Sequence, residues 1–271
     1  MVGGFHPFLK AQFSSMFNYF AQVSRLPIFS PQDTIKKTNP LSHLSLLGLS
    51  FLVMSSMMAC NHQSSSVPIE SSVMTVDTVE MLQQGIEKSR QGNYEAAVED
   101  FAEVIAQNPQ DISAYFNRGF AYSSLGRFDE ALADFTQALE LDPQMGEAYV
   151  NRGNVYLQLG QDKKAIADYE KALKINPNDA FAQNNLGLAH LNSGSPELAK
   201  IDFTQAVTLE PLYGEAYYNR GLAFVDLGEH HLAIADFEKA AKIWEQLGEE
   251  TASQAALAEI NALKTSTKSA K

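Results

Sequence analysis

Chemistry at a protein site needs nucleophiles, titratable groups or metal ligands at workable spacing. This sequence supplies few. Its 271 residues include one cysteine, Cys60, which excludes an intrachain disulfide and cannot by itself build a cysteine-rich zinc site. The six histidines are His6, His43, His62, His190, His230 and His231. His190 stands alone, and His230-His231 adjoin Glu229 with no further ligand at metal-binding spacing. No glycine loop of the phosphate-cradling kind is present. No catalytic constellation, metal site or cofactor is therefore expected, and the chain reads as non-enzymatic. The charge, −12 overall, argues against nucleic acid as a partner, because phosphate neutralisation needs a basic face.

The polar residues that do recur are of another kind. Asn117, Asn151, Asn185 and Asn219 are spaced 34 apart. A neutral amide offers both a donor and an acceptor. Arg118, Arg152 and Arg220 follow three of these asparagines, and Leu186 breaks the series. Asp100, Asp134, Asp168, Asp202 and Asp236 recur in step. Pairs Arg118–Asp134, Arg152–Asp168 and Arg220–Asp236 are expected to brace the fold. As solvated surface pairs they would contribute only ~0–1 kcal/mol each.

The same period governs the elements that must carry these residues. Gly85, Gly119, Gly153, Gly187 and Gly221 keep it, as do Gly92, Gly126, Gly160, Gly194 and Gly228. So do Ala97, Ala131, Ala165, Ala199 and Ala233, and the aromatics Phe101, Phe135, Tyr169, Phe203 and Phe237. Pro143 and its equivalents close four copies. Each copy reads as two helices, about 112–125 and 128–141 in the second. Gly126 is placed for a left-handed cap, and Ser195-Pro196 for a helix start. Gly119 falls inside a helix, where it costs about 0.8–1 kcal/mol relative to Ala. Its recurrence predicts a close approach between helices, with Ala131 as the small partner and Tyr115, Tyr122, Phe135 and Ala138 filling around it. His190 takes the slot of Tyr122 and Tyr156 and is expected to pack in their place.

A 34-residue period with this Gly, Tyr, Ala, Phe, Pro pattern resembles the tetratricopeptide repeat family over residues 78–245. The resemblance implies an all-α fold: an α-solenoid of five helix-turn-helix repeats, residues 78–245, with a capping helix over 246–264 and a disordered tail over 265–271. It also implies that the recurring asparagine faces a concave groove, where it hydrogen-bonds an extended peptide. On that geometry the groove comprises Asn117, Asn151, Asn185 and Asn219 with Phe116, Phe120, Asn154, Asn184, Leu188, Tyr218 and Leu222. The alternative is that the asparagines serve contacts between repeats. Family members that clamp chaperone C-terminal carboxylates use Lys, Asn and Arg where this chain has Leu82, Ile86, Glu147 and Asn151, so that clamp is not expected.

The N-terminal part is organised differently. Residues 1–60 carry Lys10, Arg25, Lys36 and Lys37 against Asp33 alone, so the net charge is +3 there and −15 beyond. Residues 44–58 have no charge, and the apolar segment 41–60 ends Met57-Met58-Ala59-Cys60 before a serine-rich stretch. This resembles the lipobox of bacterial lipoproteins, in which the peptide is cut before a cysteine that carries diacylglycerol. Met57 departs from the usual leucine. A plain apolar anchor helix is the other reading. Residues 1–40 form a leader that is either an amphipathic segment, with Phe13, Met16, Phe17 and Phe20 at helical spacing, or not translated. Residues 61–77 read as a linker.

Together these features predict a membrane-tethered scaffold of the cell envelope, facing the periplasm or exterior, that takes a protein or peptide partner in its groove. The tether is lipid on Cys60 or the apolar helix. The competing class is a structural subunit or homo-oligomer whose groove is occupied by its own kind.

Overall fold

The computed structural model describes residues 76–269. The leader, Cys60 with its apolar segment, and all but the last residues of the linker lie outside the described residues. Those described form eleven helices and no strand. The helices are α1 (Val76–Arg90), α2 (Tyr94–Gln107), α3 (Ile112–Ser124), α4 (Phe128–Leu141), α5 (Gly146–Gln158), α6 (Asp162–Ile175), α7 (Ala180–Asn192), α8 (Pro196–Leu209), α9 (Gly214–Asp226), α10 (His230–Leu247) and α11 (Glu250–Ser269). Each helix packs on the next, giving five antiparallel pairs and a final single helix. Successive first helices of the pairs also touch one another: α1 with α3, α3 with α5, α5 with α7 and α7 with α9. The first helices therefore form one continuous wall.

Two glycines per repeat set this geometry. The first ends the first helix. In the second repeat Gly126 has φ 73°, the Gly126 N–H bonds the Ser123 carbonyl at 3.0 Å, and the Arg127 N–H bonds that of Tyr122 at 2.8 Å. This is the paired closure that a left-handed residue permits. Ser195 stands at the start of α8 without a side-chain capping bond. Its N–H instead completes the same closure on the His190 carbonyl at 2.9 Å. True side-chain caps occur at Asp111 and Asp179, which accept from Ala114 N and Ala182 N at 2.9 Å.

The second glycine lies inside the first helix and touches the second. Its partner is the repeat's aromatic ring and not, as expected, the small alanine. A Cβ on Gly119 would stand 3.0 Å from Phe135 Cδ1, and one on Gly221 only 2.6 Å from Phe237 Cε1. A ring edge fills the absent side chain because aromatic area yields more burial energy than a methyl. Phe101, Phe135, Tyr169, Phe203 and Phe237 are all fully buried, as are Ala97, Ala131, Ala165, Ala199 and Ala233.

Between repeats, small residues let the helices close. Ala114, Asn117 and Ala121 of α3 are buried, and α5, α7 and α9 bury Ala148, Asn151, Val155, Ala182, Asn185, Ala189, Ala216, Asn219 and Ala223 at the same positions. Helix α1 has Glu80, Gln83 and Glu87 there, all exposed. It presents charge where each later first helix presents a packing surface. At the other end, α11 shares a cluster with α10 through Ala256, Ile260 and Leu263, packed with Phe237, Ala240 and Trp244. It continues to Ser269, past the 264 expected from sequence, because Thr265 and the residues after it keep helical backbone bonding in place of a tail. None of the described helices is long and apolar enough to cross a membrane.

Candidate partner-binding face

The first-helix wall carries the residues singled out by spacing, and it sorts them sharply. Asn117, Asn151, Asn185, Asn219, Phe116, Asn184, Leu188 and Tyr218 are buried. Phe120, Asn154 and Leu222 are half-buried. The last three occupy one repeat position, in the second, third and fifth copies. They are the members of the set with surface left to offer.

The four recurring asparagines spend their amides inside the protein. Asn117 Nδ2 donates to the Ser113 carbonyl at 2.9 Å and Asn151 Nδ2 to that of Glu147 at 2.8 Å, each one turn back. Asn185 Nδ2 reaches Asn154 Oδ1 of the preceding repeat at 2.9 Å, and Asn219 Nδ2 reaches Asn184 Oδ1 at 3.0 Å. Their geometry is that of inter-repeat and helix contacts. An amide sealed between helices must bond there, since an unsatisfied buried group costs about 1–3 kcal/mol.

Asn154 differs. Its Oδ1 accepts twice, from Asn185 and from the Tyr169 hydroxyl at 2.7 Å. Both residues depart from the repeat pattern together. The other copies pair Ile86, Phe120, Leu188 and Leu222 at the first position with phenylalanine at the second. A tyrosine hydroxyl in the core needs an acceptor, and Asn154 is that acceptor. Burial pushes the Tyr169 phenol well above its ordinary value, so it remains a donor.

Around this wall the fold is braced by ion pairs at the expected places. Arg118 holds Asp134 through Nε at 2.7 Å and Nη2 at 2.8 Å. Arg152 holds Asp168 at 2.7 and 2.9 Å, and Arg220 holds Asp236 likewise. These are not solvated pairs, as the spacing alone suggested: Arg152 and Asp168 side chains are 13% and 5% exposed. Arg118 also lies 5.8 and 5.7 Å from the rings of Tyr115 and Tyr122. Those tyrosines are half-buried: they pack against the core cluster of Ala131, Phe135 and Ala138, and they also serve as platforms for a guanidinium. Arg152 Nη1 reaches Thr136 of the preceding repeat at 3.0 Å, so the brace also ties repeats together.

The fourth repeat lacks its arginine, and there the sequence reading missed the substitute. His190 Nδ1 lies 2.6 Å from Asp202 Oδ2, and Gln183 Nε2 donates to Asp202 Oδ1 at 2.9 Å. Burial raises the Asp202 carboxyl, against the lowering effect of His190 and Gln183. The signal was available: Leu186 removes the arginine while Asp202 is kept. In the first repeat Lys88, at the same slot as His190, pairs with Asp100 at 2.7 Å.

The third and fifth repeats each place a glutamate on the wall. Glu147 and Glu215 share one repeat position, and Glu249 lies one period further on. Burial raises the Glu215 carboxyl, and the charge of Glu249 raises it further. Among the described residues no group of three or more His, Cys, Asp or Glu could hold a metal ion.

Comparison with known proteins places this architecture. No curated protein matches the chain by sequence. Solved structures do. MamA 41-end from Desulfovibrio magneticus RS-1 is 25% identical, with a TM-score of 0.60 over 64% of this chain and 98% of that one. Another MamA crystal structure is 24% identical, with a TM-score of 0.57 over 61% of this chain and 96% of that one. YrrB, described as a TPR protein with an unusual peptide-binding site, is 23% identical, with a TM-score of 0.53 over 62% and 86%. Family models described as TPR repeat match residues 89–126 and 153–194, and models described as tetratricopeptide repeat match 112–145 and 184–247. Period, helix pairing and family models agree: the chain belongs to the tetratricopeptide repeat family.

Proposed function

We propose that this protein is a non-enzymatic interaction scaffold whose first-helix wall takes an extended segment of a protein partner. The observation that carries the reading is the row Phe120, Asn154 and Leu222. Among the wall residues singled out by spacing, one repeat position stays half-accessible in three copies, and it carries both apolar and amide chemistry. Stacked repeats use such extended surfaces for binding. The partner segment is basic, since Glu147 and Glu215 stand on the wall and the chain is −12 overall. A peptide-binding site is recorded for YrrB. Here the reading rests on the wall itself.

The scaffold is tethered to an envelope membrane by lipid on Cys60 or by the apolar segment before it. A lipoprotein with two or three acyl chains is held stably, where a single chain is marginal. Support for this part is the sequence of residues 41–60 alone. Mass spectrometry of the membrane-extracted protein tests it: a mature chain starting at diacylated Cys60 supports the lipid tether, and an N-terminus upstream of Cys60 removes it.

The groove is tested with a random peptide library selected on the purified protein. The best peptide should bind Phe120→Ser/Leu222→Ser at least ten-fold more weakly, with the melting curve preserved. Unchanged binding contradicts the groove. A stable homo-oligomer by light scattering, with no selectable peptide, favours the competing reading of a self-occupied structural subunit.

A further inference from the structure

The amides of the wall form one directional chain. Asn219 Nδ2 donates to Asn184 Oδ1 at 3.0 Å, Asn184 Nδ2 to Asn185 Oδ1 at 3.2 Å, and Asn185 Nδ2 to Asn154 Oδ1 at 2.9 Å. Three repeats are linked, and every donor points toward Asn154. Turning any one amide over would set two donors or two acceptors face to face, so the chain turns as a unit or not at all. Tyr169 decides the sense. Its hydroxyl donates to Asn154 Oδ1 at 2.7 Å from a fully buried position, which fixes that oxygen inward.

The other atom of the same amide is then fixed too. Asn154 Nδ2 donates to no group among the described residues, and it is absent from the buried polar atoms that lack a partner. It is therefore open to solvent at a half-buried position on the wall. Hydrogen bonds in series polarise one another, so a donor at the end of an aligned chain is stronger than an isolated amide.

We propose that Asn154 Nδ2 is a preorganised hydrogen-bond donor that reads a backbone carbonyl of an extended basic peptide, and that the Asn219–Asn184–Asn185 chain with Tyr169 serves to aim it. This rests on the groove reading above and names the donor that positions the peptide backbone within it. Phe120, one repeat before it, and Leu222, two repeats after it beyond the buried Leu188, share its row as apolar contacts. The conserved-spacing asparagines Asn117, Asn151, Asn185 and Asn219 act as supports rather than as contacts, because their amides are already committed. A carbonyl is the fitting acceptor: every residue of an extended segment carries one, and an acceptor facing a fixed donor loses no orientation entropy from the protein side.

The test uses the peptide selected on the full protein and the variant Asn154→Asp. The carboxylate keeps an oxygen for Asn185 and Tyr169 to bond, so the fold is retained, but the outward donor is lost. Binding is read at high ionic strength, which screens the added charge. The expected result is a loss of about ten-fold or more in affinity, together with a downfield shift of the Asn154 side-chain amide protons when peptide is added to the native protein. Tyr169→Phe, which loosens the aim without touching the donor, should weaken binding about two- to three-fold, within the range for one hydrogen bond. Unchanged affinity in Asn154→Asp with unmoved amide protons overturns the proposal. If Phe120→Ser/Leu222→Ser still abolishes binding in that case, the groove stands and only the role of Asn154 falls. Should Asn154→Asp fail to fold, the amide shift in the native protein alone decides.

Discussion

Replacing Asn154 by leucine, the residue found at this position in the fourth and fifth repeats, should destabilise the protein although it adds apolar surface. The substitution strips the acceptor from two donors. One is the Tyr169 hydroxyl, fully buried, and the other is Asn185 Nδ2, 4% exposed. Each orphaned buried donor costs about 1–3 kcal/mol. Leucine returns roughly 1–2 kcal/mol through burial at a half-buried site and better helix propensity. A net loss of about 1–3 kcal/mol results. Tyr169→Phe alone loses one bond, about 1 kcal/mol, and leaves Asn154 Oδ1 still served by Asn185. In the double variant the tyrosine penalty vanishes, because no hydroxyl remains to be orphaned. The two substitutions should therefore couple by about 1 kcal/mol or more, and the double variant should be more stable than Asn154→Leu alone. Urea unfolding followed by circular dichroism measures all three. An additive cycle, or Asn154→Leu as stable as the native protein, would refute the claim that the pair departs from the repeat pattern as one unit.

Other perturbations follow from the same contacts. Gly221→Ala should destabilise by about 1–2 kcal/mol despite a helix-propensity gain near 1 kcal/mol. Its Cβ would meet Phe237 at 2.6 Å, and that ring is wedged 5.2 Å from Tyr218. Fluorescence of Trp244, the sole tryptophan and a neighbour in the same cluster, reports the loss, and a variant as stable as native would show that the ring can retreat. Arg152→Ala should cost about 3 kcal/mol or more by leaving Asp168 charged and nearly buried, with little relief from added salt; a loss under 1 kcal/mol in thermal melts would mark the pair as an ordinary surface bridge. The Glu215 carboxyl is raised in the folded state, by burial first and Glu249 second. The folded protein thus binds this proton more tightly than the unfolded chain, and stability from this group rises as pH falls from 7, levelling below the ordinary value of 4.5. Glu215→Gln should melt higher than native at pH 7 and lose that part of the pH dependence; equal melting at pH 7 would argue against a desolvated charge there.

Much of this molecule could be read before its structure. The period of 34 is legible because each repeat must solve the same packing problem: an aromatic on the second helix, a glycine on the first, a left-handed glycine between them. The Arg–Asp braces were legible because their spacing recurs three times. What spacing could not show is which neighbour fills a gap. Gly119 was matched to a small partner, Ala131, when the ring of Phe135 occupies the space, since periodicity marks both residues equally and says nothing of direction. The recurring asparagines are placed in the groove by the family resemblance, and spacing alone leaves that reading and contacts between repeats equally open. A helix position is common to its exposed and buried uses, and only the tilt of the neighbouring repeat decides between them. The residues that depart from the repeat, Tyr169 with Asn154 and His190 with Asp202, carried more information than those that obey it. Each departure left a polar group needing a partner, and the partner was a second departure or a retained carboxylate in the same copy.

The groove has a rival on a second helix of the described surface. Leu198 and Ile201 on α8 are 48% and 62% exposed and lie three residues apart, on one face of the helix. Side-chain resonances of the isotopically labelled protein, followed while the selected peptide is titrated in, separate the two directly. A partner seated on the first-helix wall perturbs Phe120, Asn154 and Leu222 and leaves Leu198 and Ile201 unmoved. Shifts confined to Leu198 and Ile201, with the wall silent, would contradict the assignment.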